Sequence, residues 1–230
     1  MKCDNVILLL LIIFLLVLVL YISNNRIEYF KQDKEVCMYS YNNKEFKSRI
    51  KIINGLVDKD KCDMIIDEGL VYSKKFKWKK NRHSDYPTTD NEITNEWKTY
   101  EYIDKLIKSK VFSNISKIFE VDKSKLNVVE YFIVKYEKNG NEQKELKKHT
   151  DGYEFSFIIA LNDINEYVGG GTYFYINDKL VKLNKGDCVI FCGQNEHEGV
   201  KITDGVRYIL TGFISYKNDS YCENIINDED

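Results

Sequence analysis

Charge of one sign is lacking in this sequence. Lys and Arg number 34 and Asp and Glu 36, a formal net charge of −2 over 230 residues. That balance gives no electrostatic ground for nucleic-acid binding, which draws on a basic face. Proline is nearly absent, with Pro87 alone, and histidine is scarce at three residues. The six cysteines contain no CxxC pair and no cysteine-rich zinc pattern, which excludes a cysteine-built zinc module. Cys188 and Cys192 stand four apart in an expected strand, about 13 Å at strand rise, too far to bridge. Cys37, Cys62 and Cys222 are open to pairing or to remaining free, and Cys3 sits beside an apolar segment. There is no internal repeat, and no low-complexity tract outside residues 23–48.

What is present begins with an uninterrupted apolar run, Val6 to Ile22. It lies near the short limit of a membrane-spanning helix, roughly 17–25 residues. The run is long for a signal-peptide core, and Ser23-Asn24-Asn25-Arg26 follows it in place of a small-x-small cleavage site. A retained signal anchor is therefore expected over 1–22 rather than a cleaved signal. Lys2 and the α-amine lie on one side of it and Arg26, Lys31 and Lys34 on the other, so the positive-inside rule leans towards a cytoplasmic following domain. Residues 23–48 are polar and read as a stalk, 49–219 as one domain large enough for a proper core, and 220–230 as a polar tail.

Within that domain, Asp58 to Tyr72 places Cys62, Ile65, Ile66 and Leu70 at helical spacing, with Asp58 positioned to cap the start. The basic stretch Lys74 to Arg82 reads as a solvated face, and residues 83–91 as a loop. A second helical region carries Trp97, Ile103, Leu106, Ile107 and Val111. From Asn127 the pattern turns to strands rich in β-branched and aromatic residues at 128–136, 155–162, 172–176, 187–192 and 207–216. Turn signals separate them, among them Gly169-Gly170-Gly171 and Asp204-Gly205. Helices followed by many short strands imply an α+β domain whose β part is a sandwich or barrel.

Two of the three histidines fall in a specific arrangement. His149-Thr150-Asp151 sets an imidazole and a carboxylate at i and i+2, on one face if the segment, taken as the start of a strand, is extended. His197 follows in the turn-rich stretch GQNEHEG. Two imidazoles and one carboxylate make the facial triad of non-haem iron(II) oxygenases, leaving adjacent positions for a bidentate co-substrate and oxygen. The same donor set also suits zinc, and with it a hydrolase. Arg207 lies ten residues beyond His197, where an always-charged planar fork suits the distal carboxylate of a dicarboxylic acid. The turn at Asp204-Gly205 is expected to bring its strand beside the one near His197, with Arg207 inside the barrel.

At these residues the sequence resembles the catalytic domain of the procollagen lysyl hydroxylases, within the wider prolyl and lysyl hydroxylase group. The matching strings are FIVKY (132–136), HTD (149–151), FSFIIALN (155–162), GGGTYF (169–174), and HEG (197–199) followed by Thr203, Gly205 and RYI (207–209). DYPTTDNEI (85–93) resembles the loop before the helix in those enzymes. The resemblance covers roughly residues 50–216. It implies a double-stranded β-helix, or jelly-roll, core with N-terminal supporting helices, here preceded by one transmembrane helix. It implies an iron(II)- and 2-oxoglutarate-dependent dioxygenase, with His149, Asp151 and His197 on iron. Arg207 matches the residue on the 2-oxoglutarate C5 carboxylate, and Tyr136 a tyrosine of the same pocket.

Ascorbate as reductant is implied by the resemblance alone. The carboxylate of Asp151 favours hydroxylation over halogenation. The glycines 169–171 read as a tight turn rather than a phosphate loop, since no helix follows them. The implied partners are a peptide or protein substrate, lysine first and proline next, and a membrane through the N-terminal helix; no nucleic acid is implied. The chain is far too short to hold the glycosyltransferase domains of animal lysyl hydroxylases, which separates collagen as substrate from the cofactor chemistry. A different class of reading is a non-catalytic jelly-roll tethered to a membrane as a binding module. The location expected is a single-pass membrane one, of the endoplasmic reticulum or a viral or host membrane.

Overall fold

The computed structural model describes residues 13–21, 43–80, 82, 86–138 and 143–217. The chain divides into two units, one of Asn43–Lys217 and one of Met1–Asn42 with Asn218–Asp230. In the second of these, residues 13–21 are helical and exposed. Among the described residues no helix is long and apolar enough to cross a membrane. Residues 6–12 and 22 of the expected span, 23–42 of the expected stalk and the whole polar tail lie outside the described residues.

The Asn43–Lys217 unit starts with a short helix, α1 (Lys44–Ser48), in the range expected to be stalk. Asn43 caps it through its side chain, and Phe46 is buried against Phe119 and Phe155, at ring separations of 4.9 and 6.2 Å. A short strand β1 (Lys51–Ile53) leads to α2 (Lys59–Phe76). Asp58 stands at the N-cap of α2, but its side chain makes no capping hydrogen bond. Cys62, Ile65, Gly69 and Ser73 form the buried stripe of this helix. After β2 (Asp90–Glu92), the helices α3 (Tyr100–Leu106) and α4 (Phe112–Phe119) run on through a π-helical turn, Ile107–Val111. Trp97 lies before α3, where its carbonyl accepts from the Tyr100 amide.

The remainder is β structure: β3 (Leu126–Glu137), β4 (Leu146–His149), β5 (Phe155–Ala160), β6 (Tyr167–Gly169), β7 (Thr172–Phe174), β8 (Lys179–Val181), β9 (Cys188–Cys192), β10 (His197–Gly199) and β11 (Ile202–Tyr216). The major sheet has the order β1-β9-β5-β11-β3-β2, with β6 paired to one end of β11. The minor sheet has the order β4-β10-β7-β8. All of these pairs are antiparallel.

Side-chain alternation explains the layers. Phe132, Val134 and Tyr136 of β3, Ile158 and Ala160 of β5, Val189 and Phe191 of β9, and Ile209 of β11 cluster with Phe174 and Val181 of the minor sheet. The opposite residues of the major sheet meet the helices: Phe155 packs on Phe119, and Ile133 lies against Gly69 of α2. A sheet covered on both faces needs apolar residues throughout, which is why β5 and β9 read as unbroken runs. Helices on one face and a second sheet on the other give the jelly-roll α+β architecture.

Several local expectations are corrected. The segment 172–176 is strand only to Phe174, because Tyr175–Asn177 winds into a 3₁₀ turn. Asp90 and Asn91, expected in a loop, pair with Val134 and Ile133. Asp204-Gly205 is not a turn but an irregularity within β11, where β6 pairs with it. Gly169, Gly170 and Gly171 have φ of 85, 62 and 107°, the left-handed conformations of a tight connection between β6 and β7. Cys62, Cys188 and Cys192 are free and buried, and burial pushes the Cys62 thiol up to about 12 and that of Cys192 to about 11. Cys3, Cys37 and Cys222 lie outside the described residues.

Candidate metal centre and active site

The two sheets splay around a pocket of about 250 Å³. His149 ends β4 and His197 begins β10, directly opposite each other in the minor sheet. Their rings are 4.3 Å apart. Asp151 follows His149 in the connection to β5, so the HxD stands at the end of a strand, not at the start of one. Its amide donates to the Gly193 carbonyl, which brings it back over the histidines. Asp151 Oδ1 is 3.4 Å from His149 Nε2 and 3.7 Å from His197 Nε2. One donor atom from each residue lies within 4.8 Å of the others.

The surrounding groups orient all three. His149 Nδ1 is 2.7 Å from the Lys147 carbonyl, and His197 Nδ1 is 2.9 Å from that of Asn195. A proton on each Nδ1 donates there and leaves both Nε2 lone pairs aimed at the shared point, the arrangement that metal-binding histidines need. Ser156 Oγ donates to Asp151 Oδ2 at 2.5 Å, leaving Oδ1 towards the histidines. Tyr86 packs against His149 at 5.0 Å.

The electrostatics follow from burial and proximity. Burial raises the Asp151 carboxyl pKa, but His197, His149 and Ser156 outweigh it and hold the group below its ordinary value. Burial pushes His149 down, yet the hydrogen bond and charge of Asp151 bring it above its usual value. His197 is lowered, because burial there prevails over Asp151. Asp151 therefore stays an anion and His197 a neutral ligand, the forms that bind a divalent metal.

Arg207 lies within β11, opposite Tyr136 of β3. Its neighbours are thus β3 and not the strand of His197, contrary to the expected pairing; its place inside the barrel is as expected. The residue is only 4% exposed. Its guanidinium sits 5.2 Å from the centre of the Tyr136 ring and gives a 3.4 Å hydrogen bond to the Gly171 carbonyl. Among the described residues it forms no ion pair. A buried, uncompensated guanidinium is strongly unfavourable and calls for an anion. Tyr136 is buried beside it; burial raises its phenol pKa, with the Arg207 charge acting the other way. Gly199 makes room for that phenol, since a Cβ there would stand 2.9 Å from its oxygen.

The pocket therefore has two ends. Arg207, Tyr136 and Thr172 form a cationic, hydrogen-bonding end, and the triad lies towards the other. A dicarboxylate chelating at the triad and reaching Arg207 fits this arrangement. Iron(II) and 2-oxoglutarate fit the residues present.

No family model matches the chain. Among curated proteins, it is 27% identical over 172 residues to the multifunctional procollagen lysine hydroxylase and glycosyltransferase LH3 of Rattus norvegicus. It is 31% identical over 173 residues to procollagen-lysine,2-oxoglutarate 5-dioxygenase 1 of the same species. The alignments cover 69% and 66% of this chain.

The chain is similar to the procollagen lysyl hydroxylases.

It spans 22% of the length of these lysyl hydroxylases. Two solved structures share the fold. The viral collagen prolyl hydroxylase vCPH of Paramecium Bursaria Chlorella virus-1 superposes with a TM-score of 0.57 at 16% identity, over 73% of this chain and 96% of that one. A Pseudomonas putida prolyl-4-hydroxylase gives 0.57 at 14%, over 73% and 92%. The sequence is thus similar to lysyl hydroxylases, and the fold is the one that these two prolyl hydroxylase structures share.

Of the expected site residues, the structure brings His149, Asp151 and His197 together at one point and sets Arg207 and Tyr136 together at the far end. Sequence reasoning missed Ser156, Tyr86 and Glu130. Ser156 had a signal: it is the single polar residue in the buried strand FSFIIA. Tyr86 and Glu130 had none, because only chain crossings place them at the pocket.

Proposed function

We propose that the protein is an iron(II)- and 2-oxoglutarate-dependent dioxygenase that hydroxylates a peptidyl side chain, with lysine as its substrate residue. The observation that carries this reading is Arg207, buried and without an ion pair among the described residues, at one end of a pocket whose other end holds His149, Asp151 and His197. A zinc hydrolase has no need of that guanidinium, and a non-catalytic binding module has no need of the oriented triad.

The bound metal and co-substrate would supply oxidative decarboxylation coupled to hydroxylation: 2-oxoglutarate, oxygen and a C–H bond give succinate, carbon dioxide and an alcohol. The chain's own residues do the rest. His149, Asp151 and His197 hold the metal on one side. Arg207 and Tyr136 fix the distal carboxylate of 2-oxoglutarate. Val134, Ile158, Phe191 and Ile209 line the space between and exclude water.

Similarity to lysine hydroxylases supports lysine, while prolyl hydroxylases among the fold neighbours keep peptidyl proline as the second reading. Attachment to a membrane of the endoplasmic reticulum, a virus or a host belongs to the same proposal and rests on the apolar run Val6–Ile22. Retention of the protein in membranes after alkaline carbonate washing tests it, and release into the wash would remove it.

The test of the reaction is succinate formation from 2-oxoglutarate with iron(II) and a candidate peptide, comparing the native chain with His149→Ala. Loss of at least about 100-fold is expected, since removing an iron ligand removes the chemistry. Mass spectrometry of the peptide should show a gain of one oxygen atom dependent on 2-oxoglutarate. Equal turnover by the two proteins, or zinc-supported hydrolysis without 2-oxoglutarate, overturns the assignment.

A further inference from the structure

Besides its tyrosines, the pocket is lined among the described residues by five acidic, basic or imidazole side chains: Glu130, His149, Asp151, His197 and Arg207. Four have roles in holding metal and co-substrate. Glu130 has none. We propose that Glu130 is the specificity residue of this pocket, receiving the terminal ammonium of a substrate lysine. The inference rests on the peptidyl hydroxylase reading above.

Position is the first argument. Glu130 of β3 and Ser156 of β5 both stand opposite Phe213 of β11, so the three residues form one row across the major sheet. Ser156 is the residue that holds Asp151. Glu130 thus lies two strand spacings, about 10 Å, from the support of the metal-binding carboxylate. A lysine side chain whose reacting carbon faces the triad carries its nitrogen a few bonds further. This row sets a carboxylate there to meet it. Arg207 stands six residues along β11 from Phe213, at the opposite end of the pocket, so the two recognition charges do not compete.

The charge environment is the second. Glu130 Oε2 pairs with Arg82, but Arg82 also pairs with Asp90 at 2.8 Å and Glu92 at 3.0 Å. One guanidinium is shared by three carboxylates, so Arg82 is not held by Glu130 alone. Arg82 does not itself line the pocket, although its guanidinium lies 4.9 Å from the centre of the Phe132 ring, which does. Glu130 Oε1 accepts no hydrogen bond from the described residues, and the side chain is 21% exposed, open enough to be reached from the pocket.

The third is the wall beside it. Phe213 packs on Tyr153 at 5.1 Å and on Phe132 at 5.6 Å. All three line the pocket. Aromatic faces accommodate the aliphatic stem of a lysine and favour a cation near their π surface. A proline ring would fill such a wall but leave Glu130 with nothing to bind.

Three full-length proteins test the proposal: the native chain, Glu130→Gln and Glu92→Gln. The Gln variant at 130 keeps the shape and a hydrogen-bonding oxygen while removing the charge. Glu92 shares Arg82 without lining the pocket, so its variant controls for effects that pass through Arg82. Each is loaded with iron(II) and 2-oxoglutarate without oxygen. Calorimetry then measures binding of a collagen-like peptide carrying a central lysine, norleucine or proline, and oxygen is admitted to measure hydroxylation.

The native chain is expected to bind the lysine peptide at least about tenfold more tightly than the norleucine one, the scale of a charge-assisted hydrogen bond. Glu130→Gln is expected to lose that preference and Glu92→Gln to keep it. Equal binding of lysine and norleucine by the native chain overturns the proposal, as does a preference retained in Glu130→Gln or lost equally in Glu92→Gln. Turnover of the proline peptide alone, unaffected by Glu130→Gln, overturns the proposal and leaves peptidyl hydroxylation standing. Consumption of 2-oxoglutarate with no peptide bound or hydroxylated overturns both.

Discussion

Ser156 is the one polar side chain in a strand whose six residues are all buried, and it donates to Asp151 Oδ2. Without it, Asp151 is free to rotate and present either oxygen to the histidines. Ser156→Ala is expected to weaken metal affinity or turnover by about 10–100-fold while leaving the fold intact, the usual range for a group that orients a ligand. Metal titration followed by a thermal melt checks this; unchanged affinity would show that Asp151 is oriented by its backbone alone. At the other end, Arg207→Lys keeps the charge but loses the planar fork. The KM for 2-oxoglutarate is expected to rise about tenfold or more, with a smaller change in kcat. A kcat loss at unaltered KM would place Arg207 outside the co-substrate site. Arg207 and the three candidate ligands were legible in the sequence because a ligand set needs particular side chains. Glu130 was not: it is one of 36 acidic residues, and only its row opposite Phe213 and Ser156 singles it out.

Among the elements, β11 does most to assemble the pocket. It pairs with β3 on one side and β5 on the other, and Arg207, Ile209, Thr211 and Phe213 project from it into the pocket at a spacing of two. The long strands were readable from their β-branched and aromatic runs. Of the shorter strands, β7 was read within 172–176, but β4, β6, β8 and β10 were not, since they are too short to show alternation and exist only through distant pairings. One connection holds the outer sheet edge in place. Asp187 Oδ1 accepts from the Gly55 amide at 2.8 Å, and Oδ2 accepts from the Asn184 amide and side chain at 3.2 Å each. Asp187→Ala removes these acceptors from a buried turn and is expected to destabilise the domain by about 2–3 kcal/mol. Urea unfolding measures it, and a change under about 0.5 kcal/mol would mean the turn is solvated in the variant.

For the whole Asn43–Lys217 unit, the N-terminal helix α1 links stability to the metal site. Phe46 packs on Phe119 and Phe155. The Lys47 carbonyl accepts from the Asn195 side chain, and the Asn195 carbonyl holds His197 Nδ1. A chain beginning at residue 50 is expected to lose about 3–5 kcal/mol, as for removal of a buried Phe side chain. It is also expected to bind metal more weakly than one beginning at residue 43. Denaturant midpoints and metal titration of the two fragments decide this; equal metal affinity would uncouple α1 from His197. The sequence by itself determined the candidate ligand set and the β pattern: the HxD, the later histidine, Arg207 and the run of strands, because ligand types and buried strands demand particular residues locally. Only the tertiary structure decided that α1 packs on Phe119 and Phe155, which strands neighbour Arg207, and that Ser156 and Glu130 stand in one row of the major sheet. Those facts depend on register between segments far apart in the chain, and a one-residue shift would turn each side chain to the other face of the sheet.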